Sequence, residues 1–314
     1  MDVCSATLEA FLLGLREPTC ARFVEAAGRI MTHEILIIGA GAAGLAAAAA
    51  LARAHVSVLV VDARERIGGR IWSHRDPALP VPVELGAKFI HGDAAATGAL
   101  LAKAATAAVD TGGAHWVRRA GTLAPADALV TQIRTAMQAI PVLAQQDLPF
   151  EAFLAEHLQG QLSPDAYAYA RLLAHQFDAA DTRRASARAI VEEWTGGAAV
   201  DAPQFRPLGG YGPLLATLAA ELRGSRVARQ VHTVVRHVQW QPGSVEIQGT
   251  WHGRAFTAQA KRAIITLPLG VLQRPARAPG AVRFTPPLTA KRAALRHLAP
   301  GPVIKVLLHF RTAF

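Results

Sequence analysis

The densest chemical signal in the sequence is a glycine run, Gly39-Ala40-Gly41-Ala42-Ala43-Gly44. An acid, Asp62, follows it, and then a second glycine turn between arginines, Arg64-Glu65-Arg66-Ile67-Gly68-Gly69-Arg70. In a G-x-G-x-x-G run the first glycine permits a tight turn and the second lets the backbone approach a pyrophosphate. The third lets a helix pack closely on a strand. The helix opening there offers unpaired N–H groups and the positive end of its dipole to phosphates. Asp62 stands at the spacing at which an acid meets a ribose hydroxyl. This pattern specifies a dinucleotide without choosing between NAD and FAD. The second turn could bring more N–H groups and Arg70 against the same pyrophosphate, which favours FAD.

Lys305 lies between apolar neighbours in Val303–Phe310, a run that predicts a buried strand. A lone lysine there is costly without a partner, unless it points outward from an edge strand. His91 is a single histidine that could serve structure as readily as chemistry. Glu192 and Glu193, ahead of Trp194, could attract a protonated amine or could end a solvated helix. The other histidines lack metal-ligand spacing. The two cysteines, Cys4 and Cys20, both precede Met31, which excludes a disulfide framework or a thiolate metal site in the body of the chain. No metal is expected.

Elements must hold these residues in place. Glu34–Ile38 is an apolar run suited to a strand buried on both faces, Leu45–Arg53 an alanine-rich helix, and Val56–Val61 a second strand ending on Asp62. Strand, turn, helix and strand in that order form a parallel crossover. Val83–Gly92 reads as extended. From Asp93 the character becomes helical: Thr97–Val109, then a hairpin within His115–Leu123 around Gly121. Helices are expected near Ala126–Ile140, Phe150–Leu158, Pro164–Phe177 and Arg183–Trp194, punctuated by Pro141, Pro149, Pro164 and Gly196-Gly197. A helix at Pro213–Leu222 precedes strand-like runs at Val227–Val238, Ser244–Gly249, Ala255–Ala260 and Ala263–Leu267. A last helix (Leu288–Leu298) and the strand Val303–Phe310 follow. The helical block thus looks inserted between two segments of a nucleotide-binding domain.

Hydrophobic residues make up 51% of the 314 and charged ones 18%, a globular composition. Lys and Arg exceed Asp and Glu by 33 to 23, a net charge of +10. The arginines are dispersed and no basic–aromatic stripe occurs, so nucleic acid is not expected as a partner. No apolar run of spanning length stands outside the nucleotide motif, so no integral membrane segment is expected. The first thirty residues lack a basic stretch ahead of Phe11–Leu15 and do not read as a secretory signal. They read as an extension, with either Met1 or Met31 as the start, on a cytoplasmic enzyme.

Several segments together are similar to the flavin-containing amine oxidase family, which includes monoamine oxidases, polyamine oxidases and flavin histone demethylases. In order they are GAGAAGL, DARERIGGR, ELGAKFIHG (Glu84–Gly92), PLGGYGPLLATLAAEL (Pro207–Leu222), AIITLPLGVL (Ala263–Leu272) and VRFTPPLTAKRAAL (Val282–Leu295). The resemblance runs from about residue 33 to the end. It implies an α/β architecture, a Rossmann-like FAD-binding domain interleaved with a mixed α+β, largely helical substrate domain. The implied division is an extension (1–31), a first FAD-binding segment (32–92), a helical insert (93–204), a second FAD-binding segment (205–275) and the start of a substrate-domain sheet (276–314). The implied activity is oxidation of a small-molecule amine to an imine, with molecular oxygen as acceptor.

By motif, the resemblance places Gly39, Gly41, Ala43 and Gly44 at the FAD pyrophosphate and Asp62 with Ala63 at the adenosine ribose. The family usually carries Glu at position 62. Arg64, Gly69 and Arg70 would lie along the cofactor, Gly86, Ala87 and Leu267 near the flavin, and Val235 at the adenine through its backbone. Val235 could otherwise be a plain buried strand residue. GPVIKVLLHF resembles the segment whose lysine holds a water at flavin N5, and this assigns Lys305 a catalytic role. His91 resembles the residue bordering the substrate channel in polyamine-oxidising relatives. Lys88 departs from the acidic or small polar residue usual in its slot, and a cation there disfavours polyamines.

Family members continue past this lysine with a tryptophan-bearing strand, aromatic residues flanking the amine and a GRLFFAGE-like turn. Trp194, Trp240 and Trp251 do not stand in those contexts. The expectation is a truncated chain with exposed apolar surface, weak FAD retention and little turnover. The alternatives are a non-catalytic remnant, a related FAD-dependent desaturase or oxidase acting on carbon–carbon bonds, and an NAD-dependent dehydrogenase.

Overall fold

A computed structural model describes residues 31–113, 116–119, 121–140, 147–196 and 203–312. The extension ahead of Met31 with its two cysteines, His115 and Gly197 lie outside the described residues.

The chain opens with β1 (Met31–Ile38), α1 (Ala42–Arg53) and β2 (Val58–Val61). β2 pairs parallel with β1, Ile35 opposite Val58 through Ile38 opposite Val61. Both strands are apolar on each face because both faces are covered. Leu36, Ile38, Leu59 and Val61 point one way and Ile37, Val58 and Val60 the other, the period-2 alternation of a strand. The second set packs on Leu45, Ala48, Ala49 and Ala52 of α1 and on Leu218 and Leu222. Alanine at the helix face allows the close approach that a bulkier residue would prevent.

Beyond β2 come β3 (Ser73–His74), β4 (Val83–Glu84), β5 (Ile90–His91), α2 (Ala95–Lys103) and β6 (Ala108–Asp110). The expected Thr97–Val109 helix therefore stops at Lys103: Ala105 adopts a left-handed backbone, φ 47°, and the chain re-extends. The hairpin around Gly121 forms, as β7 (Trp116–Arg119) and β8 (Thr122–Pro125).

Four helical segments follow: α3 (Asp127–Gln138), α4 (Phe150–Phe153, continued by a π turn over Leu154–Leu158), α5 (Pro164–Gln176) and α6 (Ala187–Thr195). The last begins later than the expected Arg183, because Ser186 caps it by accepting the N–H of Ala189. These helices share a core of their own, with Ile133, Met137, Phe150, Phe153, Leu158 and Trp194 buried in it.

The chain returns through β9 (Gln204–Pro207), which pairs antiparallel with both β5 and β6. Then come α7 (Gly212–Ala220), β10 (Val227–Gln230), β11 (Thr233–Gln241), β12 (Ser244–Trp251) and β13 (Arg254–Ile265). The runs Ala255–Ala260 and Ala263–Leu267 are one continuous strand, whereas Val227–Val238 is two, broken where His232 takes φ 53°. A short α8 (Leu269–Leu272), β14 (Arg283–Thr285) and α9 (Thr289–Arg296) complete the described elements. The main sheet has the order β10-β2-β1-β13-β12-β11-β14. β13 serves both halves: it pairs antiparallel with β12 early in its length and parallel with β1 toward its end.

One expected element is absent. Val303–Phe310 forms no strand among the described residues, and its apolar side chains are exposed, Ile304 by 91%. A strand exists only where a neighbour supplies the other half of its hydrogen-bond ladder, and no described segment pairs with this one.

Candidate cofactor site

At the carboxyl ends of β1 and β2 the backbone is drawn into a cradle. Gly39 takes φ 114° and donates its N–H to Val61 O at 2.8 Å. A Cβ on Gly44 would lie 1.9 Å from the Gly39 carbonyl oxygen, so the third glycine is required by the close packing of α1 on the turn. The Thr266 hydroxyl sits over Gly39 O and Ile38 O at 3.0 and 3.1 Å and fixes the turn from the β13 side. Gly41 differs from its neighbours. Its φ is −74°, and an added Cβ would meet nothing nearer than Gly69 Cα at 3.8 Å. The fold itself does not need glycine there. α1 starts at this point with no side-chain cap and no acid in its first turn, and Ala42 and Ala43 are exposed. Its first N–H groups are left facing outward.

The second glycine turn lies directly against the first. Gly41 and Gly68 form a parallel bridge, and Gly68 donates its N–H to Ala40 O at 2.8 Å. Gly69 O accepts from both Arg64 Nη1 (2.7 Å) and Arg66 Nη2 (3.0 Å). Arg66 also donates to Ile71 O at 3.0 Å and lies 4.6 Å from the centroid of Trp72. Arg64 and Arg66 thus shape the turn, while Arg70 is exposed. The Arg70 carbonyl accepts Ala87 N–H at 3.0 Å, and a Cβ on Gly86 would collide with it at 1.9 Å. Gly86-Ala87 is therefore laced to the glycine turn.

The acid at the end of β2 is held at both oxygens. Asp62 Oδ2 accepts from Ala40 N at 2.8 Å and Oδ1 from Arg64 N at 2.9 Å, with Ala63 exposed between them. The chain of β11 enters alongside: Thr233 donates its N–H to Asp62 O at 2.7 Å, and His232 donates its N–H to Arg64 O at 2.8 Å. Val235, two residues on from Thr233, has its side chain buried in the sheet with Val238 and Ile247. Leu267 is half-buried against the same cluster.

Lys305 reaches the site without the strand expected to carry it. Its ammonium donates to Glu84 O at 3.0 Å and to Gly86 O. Glu84 is itself buried, with Oε1 accepting from Tyr211 N at 2.9 Å and from the Ser73 hydroxyl. His91 pairs across to Gln204 on β9, and its exposed ring lies 6.1 Å from Phe89 and 6.2 Å from Phe177, at the edge of the helical cluster. Burial, and then the charges of Arg206 and Lys305, hold Lys88 below the ordinary lysine pKa. Glu192 and Glu193 are exposed on α6, and Glu193 acts on Asp178 of the helical core. Among the described residues no group of three or more His, Cys, Asp or Glu side chains is arranged to hold a metal. No described helix is long and apolar enough to cross a membrane.

Both glycine turns, Asp62, Gly86-Ala87 and Lys305 are thus brought to one continuous face. Arg66, Thr266, Thr233 and Glu84 also shape that face, and sequence reasoning missed them. Arg66 lies inside the arginine-flanked run, which is the signal that could have found it. The others depend on pairings between segments far apart in sequence. The donor set fits a dinucleotide: uncapped N–H groups, a glycine whose Cβ position is free of clashes, and a fixed carboxylate.

Residues 42–314 match the family model described as flavin containing amine oxidoreductase. Polyamine oxidase 2 of Arabidopsis thaliana is 29% identical over 319 residues, covering 89% of this chain and 59% of that protein. Lysine-specific histone demethylase 2 of Homo sapiens is 27% identical over 310 residues, covering 89% of this chain and 35% of that protein. The chain therefore spans less than two thirds of these relatives. Among solved structures, wild-type putrescine oxidase bound to putrescine superposes with a TM-score of 0.67 at 19% identity, over 85% of this chain and 64% of that one. That likeness shows the same α/β fold.

Proposed function

The chain belongs to the flavin-containing amine oxidoreductase family, and on that premise we propose that it takes part in FAD-dependent oxidation of an amine to an imine, with molecular oxygen as the electron acceptor and hydrogen peroxide as the product. The observation that carries this reading is Gly41, a glycine whose Cβ position meets only ordinary van der Waals contacts, at the mouth of an uncapped helix facing a second glycine turn. Such a surface admits a pyrophosphate.

FAD, when bound, would supply the oxidant, accepting the equivalent of a hydride from the carbon beside the amine nitrogen while the nitrogen gives up a proton. The residues of the chain do the rest. Gly39, Gly41, Ala43 and Gly44 line the pyrophosphate cradle, and Asp62 offers its remaining lone pairs to the ribose hydroxyls. Arg64 and Gly69 set the shape of the second turn, and Arg70 extends from it toward phosphate. Thr233 bonds Asp62 O, and Val235, two residues further along β11, would meet the adenine through its backbone. Lys305 holds a cation beside Gly86-Ala87, where it would position a water and favour reduction of oxygen. His91 borders the entrance for substrate. We assign the FAD-binding domain to 32–92 and 205–275, and the helical insert 93–204 to the substrate domain, on the separate core that its helices form.

A second reading, a flavin-binding but non-catalytic chain, draws on the exposed apolar segment around Lys305. One experiment addresses both. The purified chain is titrated with FAD by flavin fluorescence, then mixed with a panel of amines while peroxide is measured. FAD binding with amine-dependent peroxide supports the enzyme, and FAD binding without it supports the second reading. Failure to bind FAD at millimolar concentration would refute both.

A further inference from the structure

Resting on the amine-oxidising reading, we propose that the preferred amine carries a carboxylate, held by Lys88 and Arg206, and that di- and polyamines are poor ligands. Lys88, Arg206 and Lys305 come from separate stretches of the chain and stand along the segment that runs from Gly86 to His91. Lys305 is fixed on Glu84 O and Gly86 O. Lys88 follows two residues later, its ammonium 5.1 Å from the Phe89 ring. Arg206 succeeds Phe205, whose β9 position is paired with Ile90. Burial, and then the charges of Arg206 and Lys305, hold the Lys88 pKa below its ordinary value.

Among the described residues none of the three forms an ion pair with a carboxylate. The acid on the same segment, Glu84, turns its side chain into Tyr211 and Ser73 instead. Like charges gathered without a counter-ion repel one another, and an arriving anion relieves that repulsion while an arriving cation adds to it. The aromatic ladder Phe89–His91–Phe177 continues from the cations toward the helical cluster, giving the carbon chain of a ligand an apolar path. An amine with an anionic group satisfies both features, whereas a diammonium satisfies only the second.

The test compares 4-aminobutanoate with butane-1,4-diamine, which share a four-carbon chain and differ in one terminal charge. Binding to the FAD-loaded and to the flavin-free chain is measured by ligand-observed NMR at low salt. We expect 4-aminobutanoate to bind about tenfold more tightly, the preference shrinking about threefold in Lys88→Gln and in Arg206→Gln and vanishing in the double variant. Circular dichroism confirms that each variant is folded. Equal or tighter binding of the diamine, or a preference that survives the double substitution, would overturn the proposal. A chain that takes no FAD refutes the flavin reading alone, because the charge preference is still read from the flavin-free chain.

Discussion

The Asp62 carboxylate accepts the backbone N–H of Ala40 at 2.8 Å, so the end of β2 and the first glycine turn are joined by a charge-assisted bond. The other oxygen takes the Arg64 N–H. The acid is therefore oriented before any ligand arrives. Asp62→Ala should weaken FAD binding by about 1–3 kcal/mol, because it removes the proposed ribose acceptor and leaves two backbone donors unpaired. Asp62→Asn keeps one acceptor and should lose less. Fluorescence titration of FAD against the three proteins checks this, and an unchanged dissociation constant in the alanine variant would remove Asp62 from the site.

Gly41 and Gly44 should respond to alanine in opposite ways. At Gly44 the new Cβ would lie 1.9 Å from Gly39 O, forcing α1 off its turn at a cost of about 3 kcal/mol. At Gly41 the Cβ has room, with nothing nearer than 3.8 Å, and stability should change by less than about 0.5 kcal/mol. Gly41→Ala should nonetheless abolish FAD binding, since the methyl occupies the path of the pyrophosphate. Urea unfolding and FAD titration measure the two effects separately. A Gly41→Ala chain that still binds FAD would place the cofactor elsewhere.

The contrast between these two glycines shows what was legible in the sequence. The run of apolar strands, the G-x-G-x-x-G turn and Asp62 are local patterns, and local patterns survive into the fold because few alternatives satisfy them. The hairpin at Gly121 and the four helices of the insert were legible for the same reason. Thr266 and Thr233 were not, since each acts through a partner that only the sheet order brings near: Gly39 for one and Asp62 for the other. Val303–Phe310 fails for a related cause. Its composition favours a strand, but a strand is a property of two segments, and composition describes one.

Lys305 tests whether that unpaired segment matters to chemistry. Its ammonium is held by two carbonyl oxygens at Glu84 and Gly86, so Lys305→Met should leave FAD affinity within about threefold while removing a fixed cation from beside Gly86-Ala87. Reoxidation of dithionite-reduced flavin by oxygen, followed in a stopped-flow instrument, should then slow by about tenfold or more. Lys305→Arg, which retains the charge, should recover some of the rate. Equal reoxidation in all three proteins would leave Lys305 with a structural role only.

Asp178 gives the helical cluster a pH dependence of its own. Burial, and then the neighbouring Glu193, raise its pKa from 3.8 to about 6, although the bond from Trp194 Nε1 at 3.1 Å opposes the shift. The folded chain thus holds this proton more tightly than the unfolded chain. Its contribution to stability is intact below about pH 4, is lost as pH rises toward 6, and stays lost above that. Asp178→Asn removes the ionisation and keeps an acceptor for the indole. Because the group is only half-buried, solvent screening reduces the expected gain to about 1 kcal/mol at pH 8. Little gain is expected at pH 3, where the carboxyl is protonated in the folded chain and mostly so in the unfolded one. Glu193→Gln should give a smaller gain in the same direction by removing the repelling charge. Urea unfolding of the three proteins at pH 3 and pH 8 measures this, and an equal gain at both values would show that packing, not ionisation, is responsible.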